Sequence, residues 1–202
     1  MTGPTTHLER CVQAAHALGV DLKRALDGLH RLQQESDRAL THRSDDLSLP
    51  CHAGCDACCT SSPRITPLEY LALVHELQVQ HALEPVRERS RALMRELGPR
   101  IQALPGFGGS APLDQKLQFR CPVLDANGQC GCYATRPLVC RLFGHSFDDK
   151  GDLYGCDLVR AHLRGRELTL PRAQPWLQRL RALPLTEMVQ VIPYYTALFD
   201  DG

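Results

Sequence analysis

The chain has 202 residues, 43% of them hydrophobic, enough for one large packed core. Lys+Arg and Asp+Glu both number 23, so no charge excess draws it to nucleic acid or to an anionic membrane. The N-terminus has no basic stretch followed by an apolar one, and no window nears about 18 uninterrupted apolar residues, so a cytosolic protein without a membrane span is expected.

Residues 5–40 read as helix, because Leu8, Val12, Ala15, Leu18, Leu22, Ala25, Leu29 and Leu32 recur at three- and four-residue steps. Gly19 divides the stretch and Asp21 suits the cap of a second helix. The narrow apolar seam packs on the rest of the chain or pairs with an unknown protein partner; the oligomeric state stays open. Residues 41–50 are polar, end in Pro50 and read as a linker.

Thr66-Pro67-Leu68-Glu69 carries the signature of a capping box and opens a helix with Leu68, Leu71, Ala72, His75 and Val79 on one face. His75 reads as a packed or solvent-edge histidine. A further helix is expected from Pro85 to Leu104, with Val86, Leu93, Leu97 and Ile101 inside. The glycine-rich stretch 105–112 reads as a hinge; no strand precedes it and no Gly-Lys-Ser/Thr follows, which rules out a phosphate loop. Asn127-Gly128 predicts a tight turn that folds Cys121 toward Cys130. Thr135-Arg136-Pro137 opens a short helix carrying Cys140. The segment 157–199 reads as helices broken by Pro171, Pro175, Pro184 and Pro193.

Chemistry concentrates in the ten cysteines. Cys51, Cys55, Cys58 and Cys59 fall within nine residues, and Cys121, Cys130, Cys132 and Cys140 make a second stretch, with Cys156 beyond. In a reducing cytosol clustered thiols point to metal or redox chemistry more than to disulfides. Thiolate binds zinc, copper(I) and iron–sulfur clusters. Eight cysteines form the expected ligand set: Cys51, Cys55, Cys58, Cys59, Cys121, Cys130, Cys140 and Cys156. Cys132 is a spare in the second stretch, and Cys11 on the first helix is a small buried hydrophobe. His52 and His145 are close enough in sequence to join. Arg136, Arg141 and Tyr133 are candidates to contact the centre, the arginines by offsetting its negative charge.

These residues resemble the YkgJ-like cysteine-cluster family, a zinc- or iron-chelating domain of CxxxCxxCC type. The resemblance rests on Cys51-x-x-Gly54-Cys55-x-x-Cys58-Cys59, then Cys121-Pro122-x-Leu124, then Gly128-x-Cys130-x-x-Tyr133-x-x-Arg136-Pro137-x-x-Cys140-Arg141-x-Phe143. It covers roughly 51–160. It implies metal held by the shared cysteines in a compact helical domain. Cys132 stands where the family tends to carry an aliphatic residue, which favours a packing role. Some members resemble flagellin lysine N-methylases that use S-adenosylmethionine, but this chain has no glycine-rich methyltransferase fingerprint.

The expected fold is therefore mainly α: helices around an irregular cysteine-rich metal centre, with at most a short β-hairpin near Asn127-Gly128. The expected division is an N-terminal helical segment at 1–45, a metal-binding domain at 46–160 and a C-terminal helical segment at 161–202. The density of thiols and the adjacent Cys58-Cys59 favour an iron–sulfur cluster over zinc or iron ions, acting in metal handling, electron transfer or redox sensing. A cluster-dependent modifying enzyme and a zinc-stapled interaction module are the alternatives.

Overall fold

The computed structural model describes residues 5–47, 49–52, 54–103, 117–165 and 170–200. Helix α1 (His7–Ala17) starts on a capping box: Glu9 N–H donates to Thr6 Oγ1 at 3.2 Å and Thr6 N–H to Glu9 Oε2 at 2.6 Å. It stops at Gly19, whose φ of 71° lets Gly19 and Val20 donate back to His16 and Ala15. Asp21 Oδ1 then accepts from Arg24 N–H at the start of α2 (Leu22–Leu47). That helix runs through most of the stretch expected to be a linker. Polar residues do not end a helix by themselves, and the first proline after its start is Pro50.

Helix α3 (Pro67–Val79) is the centre of the core. It packs against α1, α2, α4 (Leu83–Gln102) and α8 (Ile192–Leu198). Leu68, Tyr70, Leu71, Ala72, Leu73, Val74 and Leu77 are all buried. The single apolar face expected for α3 is thus corrected: neighbours cover nearly all of its first two turns, while His75 and Val79 lie exposed near its end. Helix α4 begins two residues before Pro85 and ends at Gln102, with Pro99 inside it. Val86 and Ile101 are buried, and Leu93 and Leu97 are partly so. The glycine-rich 105–112 stretch lies outside the described residues.

A 3-10 turn at Tyr133–Thr135 leads into the short α5 (Leu138–Leu142), which carries Cys140 as expected. Two short antiparallel strand pairs complete the chain: β1 (Arg64–Ile65) with β4 (Gln190–Val191), and the hairpin β2 (Ser146–Phe147) with β3 (Leu153–Tyr154). The turn at Asn127-Gly128 forms, with Gly128 at φ 76° and an antiparallel bridge between Leu124 and Cys130. The β1–β4 pair was not expected, because its partners lie more than a hundred residues apart. Tyr195 Oη donates to Ile65 C=O at 3.0 Å and locks that pair into the core.

Helices α6 (Asp157–His162) and α7 (Gln174–Arg181) precede β4 and α8. Pro175 and Pro193 do not break helices as expected. They sit in the first turns of α7 and α8, where a missing N–H costs nothing. The fold is mainly α-helical, with eight α-helices among the described residues. None of these helices is long and apolar enough to cross a membrane.

Candidate metal centre

The two cysteine stretches are joined by backbone. Cys121 N–H donates to Cys59 C=O at 2.8 Å, a parallel bridge links Ser61 to Phe119, and Phe119 N–H donates to Ser62 Oγ at 3.2 Å. Tight turns shape the first stretch: Cys55 N–H bonds to His52 C=O at 3.0 Å and Cys59 N–H to Asp56 C=O at 2.8 Å. Gly54 takes φ 90°, a left-handed value that side-chain-bearing residues rarely adopt. Helix α4 holds the second stretch from outside, through Arg89 Nε donating to Pro122 C=O at 2.7 Å.

These contacts set seven cysteines around one inner cavity of about 100 Å³: Cys55, Cys58, Cys59, Cys121, Cys130, Cys132 and Cys140. Leu73, Val123, Leu124, Val139 and Ile192 give it apolar walls, and Phe143 and Tyr154 stack edge-to-face at 5.1 Å beside it. An outer cavity of about 220 Å³ shares Cys55, Cys58 and Cys140 with the inner one and adds Cys51, His52, His145 and Asp37. Cys156 lines neither. It caps α6 and packs with Cys51 against Val159, where Gly144 and Gly155 let two loops approach closely. All ten cysteines are free thiols, and Cys11 is buried with α1, away from both cavities.

The electrostatics follow from burying so many thiols. Burial pushes Cys121 up to about 11, and it pushes Cys140 well above its ordinary value, helped by Cys121, Cys58 and Cys130. Burial also lifts Cys51 to about 11, with Cys156, Cys55 and Cys58 adding to the effect. Cys58 moves the other way, to about 7, because the neighbouring Cys59 thiol donates to it. Left alone, most of these groups stay protonated; a cation among them would favour thiolate.

The arginines differ in what they do. Arg141 is 3% exposed. Its Nε donates to Arg136 C=O at 2.8 Å, Nη2 to Ala134 C=O at 2.5 Å and Nη1 to Asp37 of α2. It therefore fixes the 134–136 backbone to α2. Arg136 lies with its guanidinium 4.3 Å over the Tyr133 ring and lines both cavities. Its Nε is buried without a hydrogen-bond partner among the described residues. A buried donor left open beside a thiol-lined cavity suits an anionic metal–thiolate centre. His52 and His145 reach the outer cavity, and burial lowers the His145 pKa, which keeps its imidazole neutral.

Among the described residues, no three His, Cys, Asp or Glu side chains stand close enough to hold one metal ion as they are. The sulfurs line walls and do not meet at one point. A single tetrahedral ion needs four sulfurs about 3.8 Å apart, given metal–sulfur bonds of about 2.3 Å; a polynuclear centre holds its thiolates farther from one another. The donor chemistry, the apolar walls and the open Arg136 Nε all fit a thiolate-bound metal group.

A family model described as a putative zinc- or iron-chelating domain, CxxCxxCC, matches residues 50–158. The chain belongs to the CxxCxxCC family. No curated protein and no solved structure matches it. The CxxCxxCC match takes in all the cysteines of both cavities and Cys156, and leaves out Cys11. One residue beside the cavities went unnoticed in the sequence: Asp37 gave no signal, because its partner Arg141 is about a hundred residues away. Cys132, read as a spare in the second stretch with packing favoured, lines the inner cavity.

Proposed function

We propose that this chain carries a polynuclear thiolate-bound metal centre, an iron–sulfur cluster, held by Cys51, Cys55, Cys58, Cys59, Cys121, Cys130, Cys140 and Cys156. The observation that carries this reading is the set of seven cysteines around one apolar cavity, six of them in this ligand set, more sulfur than a single tetrahedral ion uses. Such a cluster, when bound, supplies one-electron redox chemistry. The protein's own residues exclude water through Leu73, Val123 and Ile192 and place Arg136 where it offsets negative charge. This supports a role in electron transfer, redox sensing or metal handling. The outer cavity, at about 220 Å³, is smaller than the roughly 300 Å³ at which pockets for small-molecule substrates begin. It therefore lends no support to an S-adenosylmethionine-dependent methylase.

Anaerobic purification followed by iron, zinc and acid-labile sulfide analysis tests the proposal. Iron and sulfide together, with sulfur-to-iron charge-transfer absorption, are expected. Zinc without sulfide would replace the iron–sulfur reading with zinc chelation. Protein that holds neither metal nor sulfide after reconstitution would overturn both.

A further inference from the structure

Cys130 and Cys132 flank Gly131 where the Leu124–Cys130 bridge passes into the turn before Tyr133, and Gly131 N–H pins this turn to Val123 C=O at 3.1 Å. Both sulfurs lie on the inner cavity's wall. Gly131 permits the close approach, since a Cβ there would stand 3.1 Å from Val123 O. The two sulfurs are 3.8 Å apart. Two thiolates on one tetrahedral ion stand about 3.8 Å apart when each metal–sulfur bond is about 2.3 Å. A disulfide would require them to close to about 2.05 Å. Cys132 is only 1% exposed, and Cys121 and Cys140 line the same cavity.

We infer that Cys132 is a further metal ligand, and that Cys130 and Cys132 together bite one thiophilic ion of the centre. The inference rests on the reading that this cavity holds thiolate-bound metal. It makes Cys121, Cys130, Cys132 and Cys140 an inner set of four thiols. The remaining Cys51, Cys55, Cys58, Cys59 and Cys156 are then left to a second part of the centre.

The test uses the full-length reduced protein with zinc(II) as probe. Thiols are alkylated slowly in mild denaturant, and each cysteine is followed by peptide mapping. Zinc should slow Cys132 as strongly as Cys130, about 10-fold or more beyond any slowing of Cys11. Cys11 is equally buried but outside the cavities, and reports global stabilisation. In parallel, cobalt(II) is bound to wild type, Cys132→Val and Cys132→Ser. Both variants should lose sulfur-to-cobalt charge-transfer intensity relative to wild type, as Cys130→Ser should. The inference is overturned if Cys130 is protected while Cys132 reacts like Cys11, or if both variants keep full intensity while Cys130→Ser loses it. The labelling of wild type decides the matter should a variant fail to fold. If zinc protects neither Cys130 nor Cys132, the proposed ligand set itself falls.

Discussion

Glu69 serves two helix starts at once. Its Oε2 accepts from Thr66 N–H at 2.9 Å and from Thr66 Oγ1 at 3.0 Å, while Oε1 accepts from Leu138 N–H at 2.8 Å. Burial raises its pKa, and the bonds from Thr66 and Leu138 pull against that rise. Glu69→Ala would leave three buried donors without an acceptor, so it should cost about 2–4 kcal/mol in denaturant unfolding. His7 is a second buried group under tension. Tyr70 Oη donates to Thr196 and shares a hydrogen bond of 2.8 Å with His7 Nε2, while Nδ1 faces Asp200 at 3.3 Å. Burial, then Arg87, lowers the His7 pKa to about 4; Asp200 pulls it up and Arg10 pushes it down. Unfolded His7 takes its proton near 6.5 and folded His7 only near 4. Its share of stability is therefore complete above pH 6.5 and is lost as pH falls toward 4, by about 3 kcal/mol. Paired urea titrations of wild type and His7→Gln should show that difference opening in this window. Asp200 acts lower on the scale. Burial would raise it, but Arg91 and Arg87 hold its carboxyl below 3.8.

At the scale of elements, one close approach is between two glycines. Gly144 N–H donates to Tyr154 C=O at 2.6 Å, and a Cβ on Gly155 would stand 3.1 Å from Gly144 Cα. This approach brings the β2–β3 hairpin and the start of α6 toward Cys51. Gly155→Val should therefore destabilise by about 1–3 kcal/mol and weaken metal retention, read by competition with a chelator. No such contact is visible in sequence, because a glycine does not announce its neighbour. What sequence does reveal at this scale is local: the Thr66–Glu69 box, the stop at Gly19 and the Asn127-Gly128 turn each depend on residues within four positions. The end of α2 was misplaced because polarity is a poor helix terminator. The single face of α3 was misread because a helix surrounded by neighbours keeps no consistent outside. The β1–β4 pair and the Asp37–Arg141 contact depend on partners more than a hundred residues apart. The mainly helical class was legible from the apolar periodicity, and thiol spacing marked out the cysteines that line the cavities as a group; which sulfurs face each other needed the backbone bridges.

The molecule as a whole rests on two supports. The main core is built by α1, α2, α3, the start of α4, α5, α7 and α8, with Cys11 and Cys132 buried in it, while the thiol cavity lies against its side. Stripping metal under reducing conditions should lower the Tm and disorder 50–60 and 120–156, yet keep most far-UV helical signal. Complete loss of helix on chelation would show instead that the core depends on the centre. Cys58→Ser, in a wall shared by both cavities, should lose metal while α3, α4 and α8 stay folded. A variant with full metal content and unchanged melting would remove Cys58 from the ligand set.

The bond from Cys121 N–H to Cys59 C=O also sets an order of events during synthesis. The first four thiols of the site leave the ribosome before α3 and α4 exist, and their partners follow some sixty residues later. At about 5–20 residues per second, that delay is roughly 3–12 s. During it, the nascent chain offers a short run of unpartnered thiols to any passing metal or oxidant. A centre that uses both stretches, as proposed, could be completed only after the second stretch has been made and paired with the first.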